Sequence, residues 1–249
     1  MRTPKVDHAR PLSAALSPRV EPATEFAVRL TARESSAIVA KIRPAFVDTA
    51  ARYDTKKYLP DVYKNVRAAF LAPTLVPAEV LQDALLWKYG HRGKSRIPGA
   101  HQRLISRLQQ EWPRLAHELP QSPDLAFAFL DARLGGATRF ITVAFLVHLV
   151  FQEQIPIIDQ HNFRAVNALI RHVRPTWRGK KKPSRYADVL LVAAFMASVS
   201  AAWGEEDPAT APTSCELDRF LMVYGQDLNK ERHNKDLQPT ANAIMRRRG

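Results

Sequence analysis

Residues 138–151, TRFITVAFLVHLVF, are apolar on nearly every side when wound as a helix. A surface helix keeps one polar face, so a helix like this must be enclosed by other elements. The run is too short for the ~20 apolar residues of a membrane span, and His148 interrupts it. It reads as a helix at the centre of a globular core. With 249 residues, 46% of them hydrophobic, the chain can surround it, as one large domain or two small ones packed together.

The flanking segments are helical almost throughout. Glu34 to Arg43 has apolar residues at helical spacing, with Ser35 and Ser36 as candidate caps and Pro44 as a stop. Pro60 precedes Asp61, which can cap DVYKNVRAAFLA, and Pro77 fits the first turn of PAEVLQDALLWKYG, which Gly90 ends. Between Ala100 and Leu119, the residues Leu104, Ile105, Leu108, Trp112 and Leu115 share one face, and Pro113 either kinks that helix or splits it. Ser122 and Pro123 start DLAFAFLDARL, stopped by Gly135 and Gly136. Asp159 caps a helix to about Val173, Ser184 begins RYADVLLVAAFMASVSAAW, and Ser214 caps CELDRFLMVYGQDL. Ile155 to Ile158 is extended but short, and Pro156 removes a ladder donor. The expected fold is all-α, a compact array of about nine or ten helices by this reading of caps and stops.

Residues 1–25 carry four prolines and no periodic apolar face, and read as a basic tail. Residues 228–249 read the same way and close on Arg246, Arg247 and Arg248, which leaves 26–227 as the helical domain. The chain has 37 Lys+Arg against 24 Asp+Glu, a formal net charge of +13. Such an excess favours a polyanionic partner, nucleic acid first and an anionic membrane second, with plain solubility as the simpler alternative. The single cysteine, Cys215, rules out an internal disulfide and any Cys-rich metal or iron–sulfur site. The N-terminal stretch has no apolar signal-peptide core, so the expected compartment is the cytoplasm.

Chemistry concentrates in residues 134–164, LGGATRFITVAFLVHLVFQEQIPIIDQHNFR. Gly135 and Gly136 join two helices through a very short turn, followed by Ala137, Thr138 and Arg139. Glycine permits a tight turn and close ligand approach, and the free N–H groups of the next helix's first turn can receive a phosphate. The same residues could equally be a Gly-stopped helix followed by a new one. Twenty residues beyond Arg139, Asp159 places a carboxylate at a helix start, where it is at least an N-cap.

In this arrangement the chain resembles the helix-hairpin-helix DNA glycosylase superfamily. There, a Gly-rich hairpin of the form L-P-G-V-G-x-x-T-A grips the DNA backbone, and a (V/I)-D-x-H-x-x-R step follows one helix and a loop later. Ile157-Ile158-Asp159-Gln160-His161-Asn162-Phe163-Arg164 matches the second element closely. The hairpin departs from the pattern, with Gly135-Gly136-Ala137 where the family has Gly-x-Gly. The ALLWKYG and LDRFLMVYG segments further look like those of a bacterial 8-oxoguanine-glycosylase-like group, some of which act in defence against phage. The resemblance implies a helix-hairpin-helix fold, with two helical lobes around a cleft as one arrangement.

The implied activity is removal of a modified base from double-stranded DNA, without cofactor or metal and by a monomer. Asp159 is the implied catalytic carboxylate, stabilising positive charge on the deoxyribose or orienting the attacking water. Arg139 stands about where bifunctional members place a Schiff-base lysine, and a guanidinium cannot be that nucleophile. Hydrolysis without strand cleavage is therefore expected, unless a lysine elsewhere, such as Lys88 or Lys94, takes that role. His161 and Arg164 are assigned to bracing the helix, with His161 as a general acid the minor reading. A flipped base needs an aromatic pocket, for which Trp87, Tyr89, Trp177 and His161 are candidates. Two basic runs flank the scheme: KYGHRGKSR with Lys94 and Arg96, and RHVRPTWRGKKKPSR with Arg178, Lys180, Lys181 and Arg185. The implied substrates are an oxidised or alkylated base in the cell's own DNA, or a hypermodified base in phage DNA. The alternative is a DNA-binding protein without turnover.

Overall fold

The computed structural model describes residues 29–134 and 139–245, with side chains through residue 231. The described residues are all-helical, with no strand. The helices are α1 (Ala32–Ile42), α2 (Phe46–Ala51), α3 (Pro60–Ala69), α4 (Ala78–Lys88), α5 (Gly99–His117), α6 (Pro123–Leu134), α7 (Phe140–Val150), α8 (Gln160–Val173), α9 (Tyr186–Glu206) and α10 (Ser214–Met245).

Helix α7 is the enclosed element its composition demands, with every side chain from Thr142 to Leu149 buried. Its most polar member, His148, is satisfied on both ring nitrogens: Nδ1 lies 2.5 Å from the Ile155 carbonyl oxygen and Nε2 lies 2.5 Å from the Tyr63 hydroxyl. A carbonyl only accepts, so Nδ1 carries the proton and the Tyr63 O–H donates to Nε2. Burial is the main cause that lowers the His148 pKa to about 4, which keeps the ring neutral.

Several helix starts differ from the expected ones, for a shared reason. Thr31, not Ser35 or Ser36, caps α1: its Oγ1 accepts from the Glu34 N–H at 3.2 Å, and the Glu34 carboxylate accepts from the Thr31 N–H at 2.7 Å. Thr213, not Ser214, caps α10 through the same reciprocal pair with Glu216, at 3.2 and 2.8 Å. At α9 the buried Asp188 reaches back to the N–H groups of Ser184 (2.7 Å) and Arg185 (3.1 Å), so Ser184 does not cap. In each case an acid in the first turn fixes the start by bonding backbone N–H groups, upstream of the nearest serine at α1 and α10 and one residue past it at α9. Helix α3 begins at Pro60 itself, which leaves Asp61 inside the first turn instead of at the cap. Pro113 neither splits nor ends α5; its exposed position lets the helix run through while Trp112 and Leu115 anchor the buried face. Helix α10 continues past Leu228 to Met245, across the boundary drawn there for a tail. Helix α9 is long and apolar enough to cross a membrane by composition, yet half of its apolar window is buried in the core.

The strongest helix packing falls into three sets. Helices α1, α2, α8, α9 and α10 pack among themselves, α4 packs on α3 and on α5, and α6 packs on α7. One apolar core runs through all three. Helices α8 and α10 come together backbone on backbone where Gly225 meets His161.

Candidate active site

Asp159 occupies an extended backbone position before α8, and its Oδ1 accepts from the N–H groups of His161 (2.6 Å) and Asn162 (2.9 Å). The Asn162 side chain closes the box, its Oδ1 accepting from the Asp159 N–H at 2.9 Å. The carboxylate is therefore fixed by its own helix, and the cap uses one of its two oxygens.

Asn162 does more than close the cap. It is 1% exposed, and its Nδ2 donates to the Ile157 carbonyl (2.7 Å) and to Oδ1 of Asp218 on α10 (3.0 Å). Since Oδ1 already accepts from the Asp159 N–H, the orientation of the amide is settled by its partners. A single buried side chain thus ties the segment of one carboxylate to a second carboxylate. Burial, helped by the nearby Asp159 charge, raises the Asp218 pKa to about 6 against the opposing pull of Asn162, Lys88 and Arg219.

Lys88, at the end of α4, donates to the Ile158 carbonyl at 3.0 Å, and its Nζ lies 5.4 Å from the Phe145 ring centroid. Burial lowers its pKa while the carboxylates of Asp159 and Asp218 act in the opposite sense. The last carbonyl before Asp159 is thereby held from the α4 side, and Asp218 is held from the α8 side.

Beside this cluster lies a cavity of about 390 Å³ that Tyr53, Tyr58, Tyr63, Trp87 and Asp218 help to line, together with Ile157 from the loop before α8. Trp87 stacks on Tyr63 with ring centroids 4.8 Å apart and meets Tyr58 edge-on at 5.6 Å, while its indole N–H donates to the Leu59 carbonyl at 3.1 Å. A second cavity of about 330 Å³ adjoins the first and shares Tyr63, Arg67, Gln152, Ile157, Cys215 and Asp218. These volumes lie at the lower end of ordinary small-molecule sites. Trp87 is stacked between Tyr63 and Phe145 and backs the wall, Tyr53, Tyr58 and Tyr63 bring their rings to it, and Asp218 offers a carboxyl among them.

The pocket candidates divide. Trp87 lines the larger cavity; Tyr89, Trp177 and His161 line neither. Tyr89 places its hydroxyl 2.5 Å from Oγ1 of Thr142 and stacks on His101 at 4.1 Å. Trp177 donates its indole N–H to Oδ1 of Asn167 at 2.9 Å and packs against the core. His161 accepts on Nδ1 from Arg164 at 3.2 Å, and Arg164 also donates to the Gly225 carbonyl at 2.9 Å, so both brace the α8–α10 contact. Burial lowers the His161 pKa, which suits this accepting role.

Of the DNA-contact candidates, Gly135, Gly136, Ala137 and Thr138 lie outside the described residues. Arg139 donates from Nη1 to the Leu134 carbonyl, so it bridges the end of α6 and the start of α7. Lys94, Arg96, Arg178, Lys181 and Arg185 are exposed. Lys180 is held at 3.0 Å by the buried Asp188 and serves the loop that leads into α9.

Sequence reasoning missed Asn162, Asp218, Tyr53, Tyr58 and Tyr63. Asn162 stood in the cited eight-residue step and Asp218 in LDRFLMVYG, yet nothing local to either joins them across 56 positions. Compared with protein-family models, with curated proteins and with solved structures, the chain gives no match.

Proposed function

We propose that this chain is a DNA glycosylase that flips a modified base out of double-stranded DNA and hydrolyses its N-glycosidic bond. The observation that supports the reading is the rigid Asp159 cap joined through Asn162 to Asp218, which lines a cavity with Tyr53, Tyr58, Tyr63 and Trp87, although Asp159 itself lines neither cavity. Tyr53 ties the two together, because it lines the cavity and its hydroxyl feels the charges of Asp159 and Asp218.

Breaking a base–sugar bond develops oxocarbenium-like positive charge at C1′ of the deoxyribose. A fixed anion there stabilises the transition state more than the neutral ground state, and its rigidity avoids reorganisation during the reaction. The aromatic walls supply stacking that replaces what the base loses on leaving the duplex. The exposed Lys94, Arg96, Arg178, Lys181 and Arg185 attract the phosphate backbone.

Hydrolysis, not imine formation, is the proposed route. Arg139 engages the Leu134 carbonyl with a guanidinium, which is no nucleophile, while the Lys88 amine is committed to the Ile158 carbonyl. The target is an oxidised, alkylated or hypermodified base, in repair of cellular DNA or in defence against phage DNA. The test is a screen for free bases released from duplexes carrying such modifications and from phage DNA, read by mass spectrometry, with wild type beside Asp159→Asn. Release by wild type and its loss in the variant support the reading. DNA binding by both proteins, with no base freed from any DNA, favours a binding protein without turnover.

A further inference from the structure

The site holds two carboxyl groups in different surroundings. Asp159 accepts two backbone N–H bonds at a helix N-terminus, surroundings that suit an anion. Asp218 sits among aromatic rings on the cavity wall, with one hydrogen bond from Asn162 to its Oδ1. Surroundings that differ in this way divide a pair of acids into a fixed charge and a proton donor. That bond also decides geometry: Oδ1 is occupied by a donor, so Oδ2 is the oxygen left to carry a proton.

Resting on the glycosylase reading, we propose that Asp218 is the general acid of base removal, giving its Oδ2 proton to the departing base in the aromatic cavity, with Asn162 as its positioning residue. The need arises from the leaving group. As the C1′–N bond breaks, its electron pair stays on the base, and a neutral base would depart as an unstable anion. Transfer of the Asp218 proton to a ring heteroatom lets it leave neutral. Water adds to C1′ and gives up a proton to solvent, and the Asp218 carboxylate regains a proton from solvent for the next turnover. Atoms and charge balance without any further reactant.

The groups that face Asp218 are compatible with this role. Asp159 at the α8 cap and desolvation favour the protonated form, while Lys88 from α4, Arg219 on its own helix and the Asn162 amide oppose it. The charge of Asp218 is also felt by the hydroxyls of Tyr53 and Tyr63, both kept neutral mainly by burial. With the carboxyl pKa raised to about 6, a useful fraction is protonated near neutrality.

The test uses single-turnover base release between pH 5 and 8 from the duplex that wild type cleaves fastest, with wild type, Asp218→Asn and Asp218→Glu. The wild-type rate is expected to fall about tenfold per pH unit above the Asp218 pKa. Asp218→Asn is expected to lose about 100-fold or more, the usual contribution of a general acid, and to become flat in pH. Asp218→Glu is expected to recover part of the rate and a pH-dependent profile. A wild-type rate that does not fall with rising pH overturns the proposal without any variant. An Asp218→Asn protein that keeps its rate, or loses rate while keeping the wild-type pH profile, also overturns it and leaves the glycosylase reading standing. Failure of wild type to free a base from any duplex overturns both.

Discussion

Gly225 lies against the backbone of His161 so closely that a Cβ at position 225 would stand 1.9 Å from the His161 carbonyl oxygen. The contact is backbone on backbone, so no flexible side chain can move aside. Gly225 follows Asp218 by seven residues, two helical turns on one face of α10, which makes this crossing the rail that sets Asp218 opposite Asn162. Gly225→Val is expected to cost about 2 kcal/mol or more by forcing the helices apart. Thermal melting reads the loss, and base release at a temperature where the variant stays folded should fall with it.

The two roles of Asp159 separate by substitution. Asparagine is also a good N-cap, so Asp159→Asn should melt within about 0.5 kcal/mol of wild type while losing base release. Asp159→Ala should lose base release as well, together with about 1 kcal/mol of stability. Equal activity in wild type and Asp159→Asn would remove the carboxylate from the chemistry.

The Lys88 amine is the one that can decide between hydrolysis and imine formation, since Asp159 lies within reach of its charge. Borohydride added during turnover should trap no covalent protein–DNA adduct. Trapping that disappears in Lys88→Gln would reverse this and make Lys88 a nucleophile.

Acid stability should fall mainly below pH 4.5, because above it two buried groups act against each other. His148 has a folded pKa of about 4 against an ordinary 6.5, so the neutral ring's contribution is complete above pH 6.5 and is lost as pH falls towards 4. Glu34, lowered from 4.5 to about 2 mainly by its bonds to Arg174, contributes above pH 4.5 and loses that contribution as pH falls towards 2. Asp218 acts in the opposite direction, regaining stability as pH falls from about 6 towards 3.8. Melting temperatures across pH 2–7 test this: Glu34→Gln should flatten the fall below pH 4.5, and Asp218→Asn should expose the His148 loss between pH 6.5 and 4.

The loop before α9 should respond unevenly to loss of charge. Arg178→Ala and Lys181→Ala are each expected to reduce the slope of log affinity for duplex DNA against log salt by about 1, with little effect on melting. Lys180→Ala should lower the melting temperature, because it leaves the buried Asp188 short of its ion-pair partner.

What could be read from sequence was what the chain decides locally. The enclosure of α7 follows from its composition, and the Asp159 cap follows from an acid at the start of a periodic segment. The caps at Thr31 and Thr213 were also local, but nearby serines hid the T-x-x-E spacing that defines them. The cavity could not be read this way. Tyr53 and Tyr58 lie between α2 and α3, outside any helical period, and Tyr63 and Trp87 reach the same space from different helices. The bond from Asn162 to Asp218 spans 56 positions and exists only because α10 crosses α8 at Gly225. Trp177, by contrast, looked available because it sits in a basic loop, whereas the Asn167 amide holds its indole.

The larger cavity draws its lining from two of the three helix sets, with Tyr63 and Trp87 from α3 and α4 and Asp218 from α10. Neither set alone encloses it. With the sets parted by heat or a protease, Asp159 can still cap its helix, but the walled space is gone. Under the proposed function, base removal is therefore confined to the assembled molecule, and a half-folded copy is inert.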